Sequence, residues 1–304
     1  MTISATLVKE LREKTNAGMM DCKRALAESN GDFQAAVEWL RVKGLSSAAK
    51  KADRVAAEGA VASFLTEKVG VLVEVNSETD FVARNDNFKA FVKDIAEHVA
   101  GSTSTENITE QTYVKNPSIK VGDYLKENIA KIGENLVVRR AARYEVAASS
   151  TVQTYIHGEG KIGVMIEVAG AAPSADTKTL ATDLCLHIAA MNPMAISSDQ
   201  IPADVVAKER EILKAKNLEA GKKADMVDKI VDGQIRKFLA ENCLLDQAFV
   251  KNPDLKVSDY VAQVGKKVGA TLSVKRFIRF ELGEGIEKKQ TDFAAEVAAQ
   301  VKGH

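Results

Sequence analysis

Aromatic residues make up only 5% of the 304-residue chain, and cysteine is rarer still, with three residues. So few rings leave few platforms for stacking bases. Cys22, Cys185 and Cys243 are odd in number, widely spaced and without a CxxC pair, which excludes a disulfide framework or a thiolate zinc site; they read as reduced thiols. Excess charge of either sign is missing as well. Lys plus Arg and Asp plus Glu each count 42, so the formal charge of zero gives no electrostatic case for wholesale nucleic-acid binding. No apolar run reaches membrane-spanning length, and Met1-Thr2-Ile3-Ser4 lacks the marks of a signal or transit peptide, which places the expectation in the cytoplasm.

Catalytic patterns are lacking too. There is no Walker-type phosphate loop and no HExxH pair, and the four histidines are scattered. His98 and His187 fall on apolar helices, where a structural role is expected, whereas His157 sits before Gly158 at a hairpin turn and fits either a contact or a plain turn role. No acid, base and nucleophile converge, so the chain reads as a non-enzyme without a cofactor or metal of its own.

What is present is a chain able to build more than one core: 45% of its residues are hydrophobic, and its length suggests roughly two domains. Residues 4–44 read as three short helices, opened by Ser4, Asp21 and Asp32 and carrying Leu7, Val8 and Leu11, then Cys22, Ala25 and Leu26, then Phe33, Ala36, Val37 and Leu40. Between the first two, the loop 15–20 holds Met19 and Met20, which fit equally as core gap-fillers or as adaptable contact residues. Residues 46–58, rich in Ala, Lys and Arg, form a helix-prone linker with a solvated basic face.

The body repeats itself. Gly70-Val-Leu-Val-Glu-Val75 matches Gly163-Val-Met-Ile-Glu-Val168 at an offset of 93, and the helix with Phe91 and Ile95 is matched at that offset to the one with Leu184 and Ile188. Val114-Lys-Asn-Pro-Ser-Ile-Lys-Val-Gly-Asp-Tyr124 matches Val250-Lys-Asn-Pro-Asp-Leu-Lys-Val-Ser-Asp-Tyr260 at an offset of 136, a register that also carries Arg140 and Arg143 onto Arg276 and Arg279. Each copy reads as a two-stranded hairpin, a helix, a second helix and a third strand. The offsets imply a 43-residue insertion in the second copy, in which two charged, amphipathic helices turn near Gly221. The expected fold is α+β: a three-helix module (1–45), the linker (46–58), two core subdomains with antiparallel sheets (59–148 and 149–282), an inserted antiparallel helical hairpin (about 202–244) and a C-terminal module (283–304) whose helix carries Phe293, Val297 and Val301.

Residues 76–82, Asn-Ser-Glu-Thr-Asp-Phe-Val, form the corner between the strand 69–75 and the helix with Phe88, Phe91, Val92 and Ile95. Phe81 stands in a connection, where solvent is the default surrounding. Either it staples the loop to the helix or it projects to enter a partner. The repeat favours projection, because at the offset of 93 Thr79-Asp80-Phe81-Val82 falls on Ala172-Pro173-Ser174-Ala175, with no large apolar residue.

Leu7-Val-Lys-Glu-Leu-Arg-Glu-Lys-Thr-Asn-Ala-Gly-Met-Met-Asp-Cys-Lys-Arg-Ala-Leu26, Thr79-Asp80-Phe81-Val82, Lys131-Ile-Gly-Glu-Asn135, the His157-Gly158 hairpin, Gly283-Glu-Gly-Ile-Glu287 and Thr291-Asp-Phe-Ala-Ala-Glu-Val-Ala298 together resemble bacterial elongation factor Ts, from one end of the chain to the other. The resemblance implies a guanine-nucleotide exchange factor of translation that binds elongation factor Tu on its G domain and a second domain, and meets GDP and GTP only through that partner. It implies a ubiquitin-associated-like fold for the N-terminal module, a coiled-coil arm for the hairpin and a separate terminal helix. It further implies that Thr79, Asp80, Phe81 and Val82 wedge between two helices of the G domain and displace magnesium, with Met19, Met20, Ile132 and His157 as supporting contacts. Asp80 would either bond backbone donors at the corner or perturb the magnesium site. Ser77-Glu78 departs from the pattern by adding a charge. Two other readings compete: an adaptor that binds without accelerating nucleotide release, and an RNA-associated factor using Lys50, Lys51 and Arg54. Self-association and the role of the hairpin are left open.

Overall fold

Short polar side chains open two of the first three helices. In the computed structural model, which describes residues 3–15 and 17–287, α1 (Ala5–Thr15) starts where Ser4 Oγ accepts the Leu7 N–H at 3.2 Å, and α3 (Phe33–Ala49) starts where Asp32 Oδ1 accepts the Ala35 N–H at 2.9 Å. Between them, α2 (Met19–Glu28) begins two residues earlier than its Asp21 suggested. Gly18 is its N-cap, with the Cys22 N–H donating to Gly18 O at 2.9 Å, and Asp21 lies in the first turn, where a carboxylate favours the helix dipole. Met19 and Met20 are therefore helical rather than in a loop. Leu11, Cys22, Ala25, Leu26 and Ala36 are fully buried among the three helices.

Helix α3 continues past position 46 to Ala49 and is followed by turns; Ala48, Ala56 and Ala57 are buried, so this stretch is not simply a solvated connector. Beyond it come β1 (Glu58–Leu65), β2 (Val69–Ser77), the single turn α4 (Asp80–Ala83), α5 (Asp86–Gly101), α6 (Val121–Ile132) and β3 (Leu136–Glu145), with the three strands in the order β1-β2-β3. The second series is β4 (Ser150–His157), β5 (Ile162–Ala169), α7 (Ala175–Met191), α8 (Ala203–Glu219), α9 (Ala224–Asn242), β6 (Ala248–Phe249), β7 (Asn252–Lys256), α10 (Val257–Val268) and β8 (Ser273–Glu281). Its sheet runs β4-β5-β8, with β4 and β5 antiparallel from Ser150↔Ala169 to His157↔Ile162. The fold is thus mixed α+β with small sheets. Among the described residues no helix is long and apolar enough to cross a membrane, and the three cysteines are buried and unpaired.

Two compact units emerge among the described residues, one of residues 3–15, 17–62, 73–141 and 281–287, the other of 63–72 and 142–280. In the second, Ile166 and Val168 of β5, Leu180, Leu184 and Ile188 of α7 and Val257 of α10 share one core. Helices α8 and α9 pair with each other: Val227, Val231 and Ile235 are buried against Val206, Leu213 and Leu239, and Arg210–Asp232 (2.7 Å) and Lys214–Asp228 (2.9 Å) cross between them in antiparallel register. At 17 and 19 residues the arms span about 25 Å at 1.5 Å per residue. The expected C-terminal helix around Phe293, Val297 and Val301 lies outside the described residues.

The repeat recurs in side-chain contacts, with a correction to its register. Asp94 accepts from Lys115 and from the Tyr124 hydroxyl; Asp183 accepts from Lys251 (2.6 Å) and the Tyr260 hydroxyl (2.7 Å). His98 Nε2 meets Gln111 Oε1 at 3.0 Å while its Nδ1 accepts the Val114 N–H; His187 repeats this with Gln247 at 2.8 Å and the Val250 N–H. These pairs place α5 and α7 at an offset of 89 rather than 93, and make the insertion 47 residues rather than 43. A slip of four is about one helical turn and preserves the apolar stripe, so periodicity alone cannot distinguish the two registers.

The strands keep the offset of 93. Glu74, with no exposed side-chain surface, accepts from Arg139 (2.9 Å), Arg140 (2.6 Å) and the Gly283 N–H (2.8 Å); Glu167, 1% exposed, accepts from Lys275 (3.2 Å) and Arg276 (2.7 Å). Burial pushes both carboxyls up, but these donors outweigh it and hold them below the ordinary range. Gly283 is required where it stands. With φ at +71°, a side chain there would bring Cβ within 2.5 Å of Ala57 O.

Candidate functional site

The two offsets meet at the corner between β2 and α5. Asn85 caps α5 and Ser174 caps α7, 89 residues apart, while the preceding strands are 93 apart, so the first copy holds four residues that the second lacks. They are accounted for by the one-turn helix α4, Asp80–Ala83. The comparison of Thr79–Val82 with Ala172–Ala175 is thereby replaced: Ala175 already begins α7, and the second copy has no such turn.

Four residues are too few to hold a helical turn by their own hydrogen bonds. None of the residues in α4 is fully buried, so its support is polar. Thr79, extended at φ −126° and ψ 156°, caps the turn by accepting the Val82 N–H on Oγ1 at 3.4 Å, and Ser77 Oγ donates to Thr79 O at 2.9 Å. Glu134 takes both donors of Thr79: the N–H at 3.0 Å and the hydroxyl at 2.7 Å. In return, the Asn135 N–H donates to Glu78 Oε1 at 2.6 Å, and Glu78 Oε2 lies 3.5 Å from Arg54. The Asn135 amide donates to Ala52 O (3.3 Å) and Arg54 O (2.8 Å). The extra charge at Glu78 is therefore part of this clasp.

On the braced turn, Phe81 is 79% exposed, more than any other large apolar side chain among the described residues. The staple reading fails for it. Val82 is half-buried beneath, and Asp80 pairs with Arg84 at 3.2 Å on the surface, where such a pair contributes little. Ile132, half-buried, ends α6; Gly133, at φ +90°, closes that helix and turns the chain toward Glu134.

The other expected contact residues lie apart in sequence and element. Met19 and Met20 are exposed by 49% and 67% on the first turn of α2, so neither fills the core of the three-helix module. Within the same unit α3 packs on α6, where a Cβ at Gly44 would come within 2.8 Å of Ala130 Cβ. His157, the exposed last residue of β4, belongs to the other unit, and its Nδ1 meets the Tyr155 hydroxyl at 2.9 Å. Sequence reasoning missed Glu134 and Asn135, which appeared only within the stretch 131–135 that carries the resemblance, with no role of their own. The unexplained charge at Glu78 was the one local sign that the corner has a polar partner. Among the described residues no group of three or more His, Cys, Asp or Glu could hold a metal ion.

The pattern of the family described as Elongation factor TS matches residues 78–284, from the corner to the turn after β8. Elongation factor Ts of Bdellovibrio bacteriovorus is 66% identical over 308 positions that cover all of both chains. The proteins of the same name from Nitratiruptor sp. and Sphingopyxis alaskensis are each 49% identical, over 99% of this chain and 100% of the former, and over 98% of this chain and 98% of the latter.

Proposed function

The chain belongs to the elongation factor Ts family, and from that premise we propose that it is the guanine-nucleotide exchange factor of elongation factor Tu, acting by insertion of Phe81 into the partner's G domain. The protein breaks no bond in this reading. It binds an arrangement of the partner that holds GDP and magnesium poorly; by reciprocity it lowers nucleotide affinity by the same factor by which nucleotide lowers its own. GDP leaves and GTP reloads.

The observation that carries the reading is the 79% exposure of Phe81 on a turn held by polar contacts. Fully burying such a ring in a foreign pocket is worth roughly 1.5–3 kcal/mol, enough to bias a two-state partner by one to two orders of magnitude. Thr79 holds the turn and Val82 seats it, while Asp80, half-exposed beside Phe81 and paired with Arg84, has either of two roles in this reading: bonding backbone donors at the corner or perturbing the magnesium surroundings. Met19, Met20, Ile132 and His157 are the supporting contacts. Nucleotide is met only through elongation factor Tu.

Release of fluorescent GDP from elongation factor Tu, followed by stopped flow with and without the protein, tests the function. Acceleration is expected. Binding without acceleration would replace exchange with a plain adaptor role.

A further inference from the structure

An exposed ring can act as a wedge only if something resists its being pushed back. We propose that Glu134 is a positioning residue for exchange: through Thr79 it fixes the direction in which Phe81 projects, and Asn135 beside it anchors the same clasp to residues 52–54. The proposal rests on the reading of Phe81 as the inserted group.

The chemistry of the clasp supports this role. A carboxylate only accepts, so at 2.7 Å it draws the Thr79 hydroxyl proton toward itself and leaves an oxygen lone pair for the Val82 N–H, the bond that caps α4. Its second oxygen takes the Thr79 N–H, so two contacts set both the position and the rotation of the residue from which α4 starts. The exchange is mutual, since Glu78 takes the Asn135 N–H at 2.6 Å. Two chain segments more than fifty residues apart each give a carboxylate to the other's backbone. Asn135 is 2% exposed and spends its amide on Ala52 O and Arg54 O. The stretch that follows α3 is therefore tied to the turn that carries Phe81, and the second copy has no such turn to position.

A double-mutant cycle on the full-length protein tests this, comparing the wild type, Glu134→Ala, Phe81→Ala and the double variant by their maximal rates of fluorescent GDP release at saturating concentration. Glu134→Ala should lower the maximal rate by about ten- to a hundredfold, the usual scale for a misplaced group. In the Phe81→Ala background the same change should alter it less than about twofold. Equal factors in both backgrounds, or no effect of Glu134→Ala in the wild type, would overturn the positioning role while leaving the wedge intact. A wild-type rate in Phe81→Ala would overturn the wedge and this proposal with it. Native-state hydrogen exchange supplies a readout apart from activity: Glu134→Ala, and the size-preserving Glu134→Gln to a lesser degree, should speed exchange at residues 79–83 while β2 and α5 keep their protection. Unchanged exchange at 79–83 would also contradict the proposal.

Discussion

Glu74 and Glu167 hold equivalent places in two sheets, each a buried carboxylate that accepts from two consecutive basic residues of a neighbouring strand. The arrangement carries a cost as well as a gain, because cations left beside a neutral partner lose the charge that compensates their own burial. Glu74→Gln should destabilise the protein by about 2–3 kcal/mol in chemical denaturation. Glu167→Gln should cost less, since it faces more exposed cations and lacks the backbone donor that Gly283 gives Glu74.

The same carboxyls set an acid limit. Their folded pKa values lie below the ordinary one, so their stabilisation is present above about pH 4.5 and is lost as pH falls through the folded values. His98 and His187 act at higher pH. Burial lowers both pKa values despite the bonds to Gln111 and Gln247, so the native protein holds them neutral while the unfolded chain protonates them near pH 6.5. Thermal stability should therefore begin to fall below about pH 6.5, before the carboxylates contribute. The double variant His98→Gln/His187→Gln should flatten the profile between pH 7 and 5.5; an unchanged slope would assign that loss to other groups.

Gly44 separates two opposing effects. Alanine is better than glycine inside a helix by about 1 kcal/mol, but here the added Cβ would meet Ala130 Cβ at 2.8 Å. Overpacking of this kind costs about 1–3 kcal/mol, so Gly44→Ala should be neutral to destabilising by about 2 kcal/mol. Adding Ala130→Gly should recover the packing part of that loss. Stabilisation by Gly44→Ala alone would show that α3 and α6 have room to part.

Deleting Asp80–Ala83 would give the first corner the spacing of the second. The account predicts a folded protein that melts within a few degrees of the wild type and fails to accelerate GDP release. A variant that cannot fold would show that the turn belongs to the core.

Much of this was legible in the sequence because helices, strands and the repeat leave periodic marks. Leu7, Val8 and Leu11, or Phe88, Phe91 and Ile95, name their elements by spacing alone. The contacts that set the corner are not periodic. Thr79 and Glu134 are joined by two hydrogen bonds across 55 residues, and no local pattern in either segment announces the other. The register of α7 escaped for the opposite reason, being too periodic to distinguish one turn from the next. Exposure was hidden too: Met19, Met20 and Phe81 carry the same apolar signal whether they face a core or solvent.

The central claim is that Phe81 drives exchange from a fixed turn. Its direct test is the maximal rate of fluorescent GDP release from elongation factor Tu at saturating wild type and at saturating Phe81→Ala. The account predicts acceleration by the wild type and a rate at least about tenfold lower in the variant, in keeping with the 1.5–3 kcal/mol available from burying the ring. Acceleration undiminished by the substitution would contradict it.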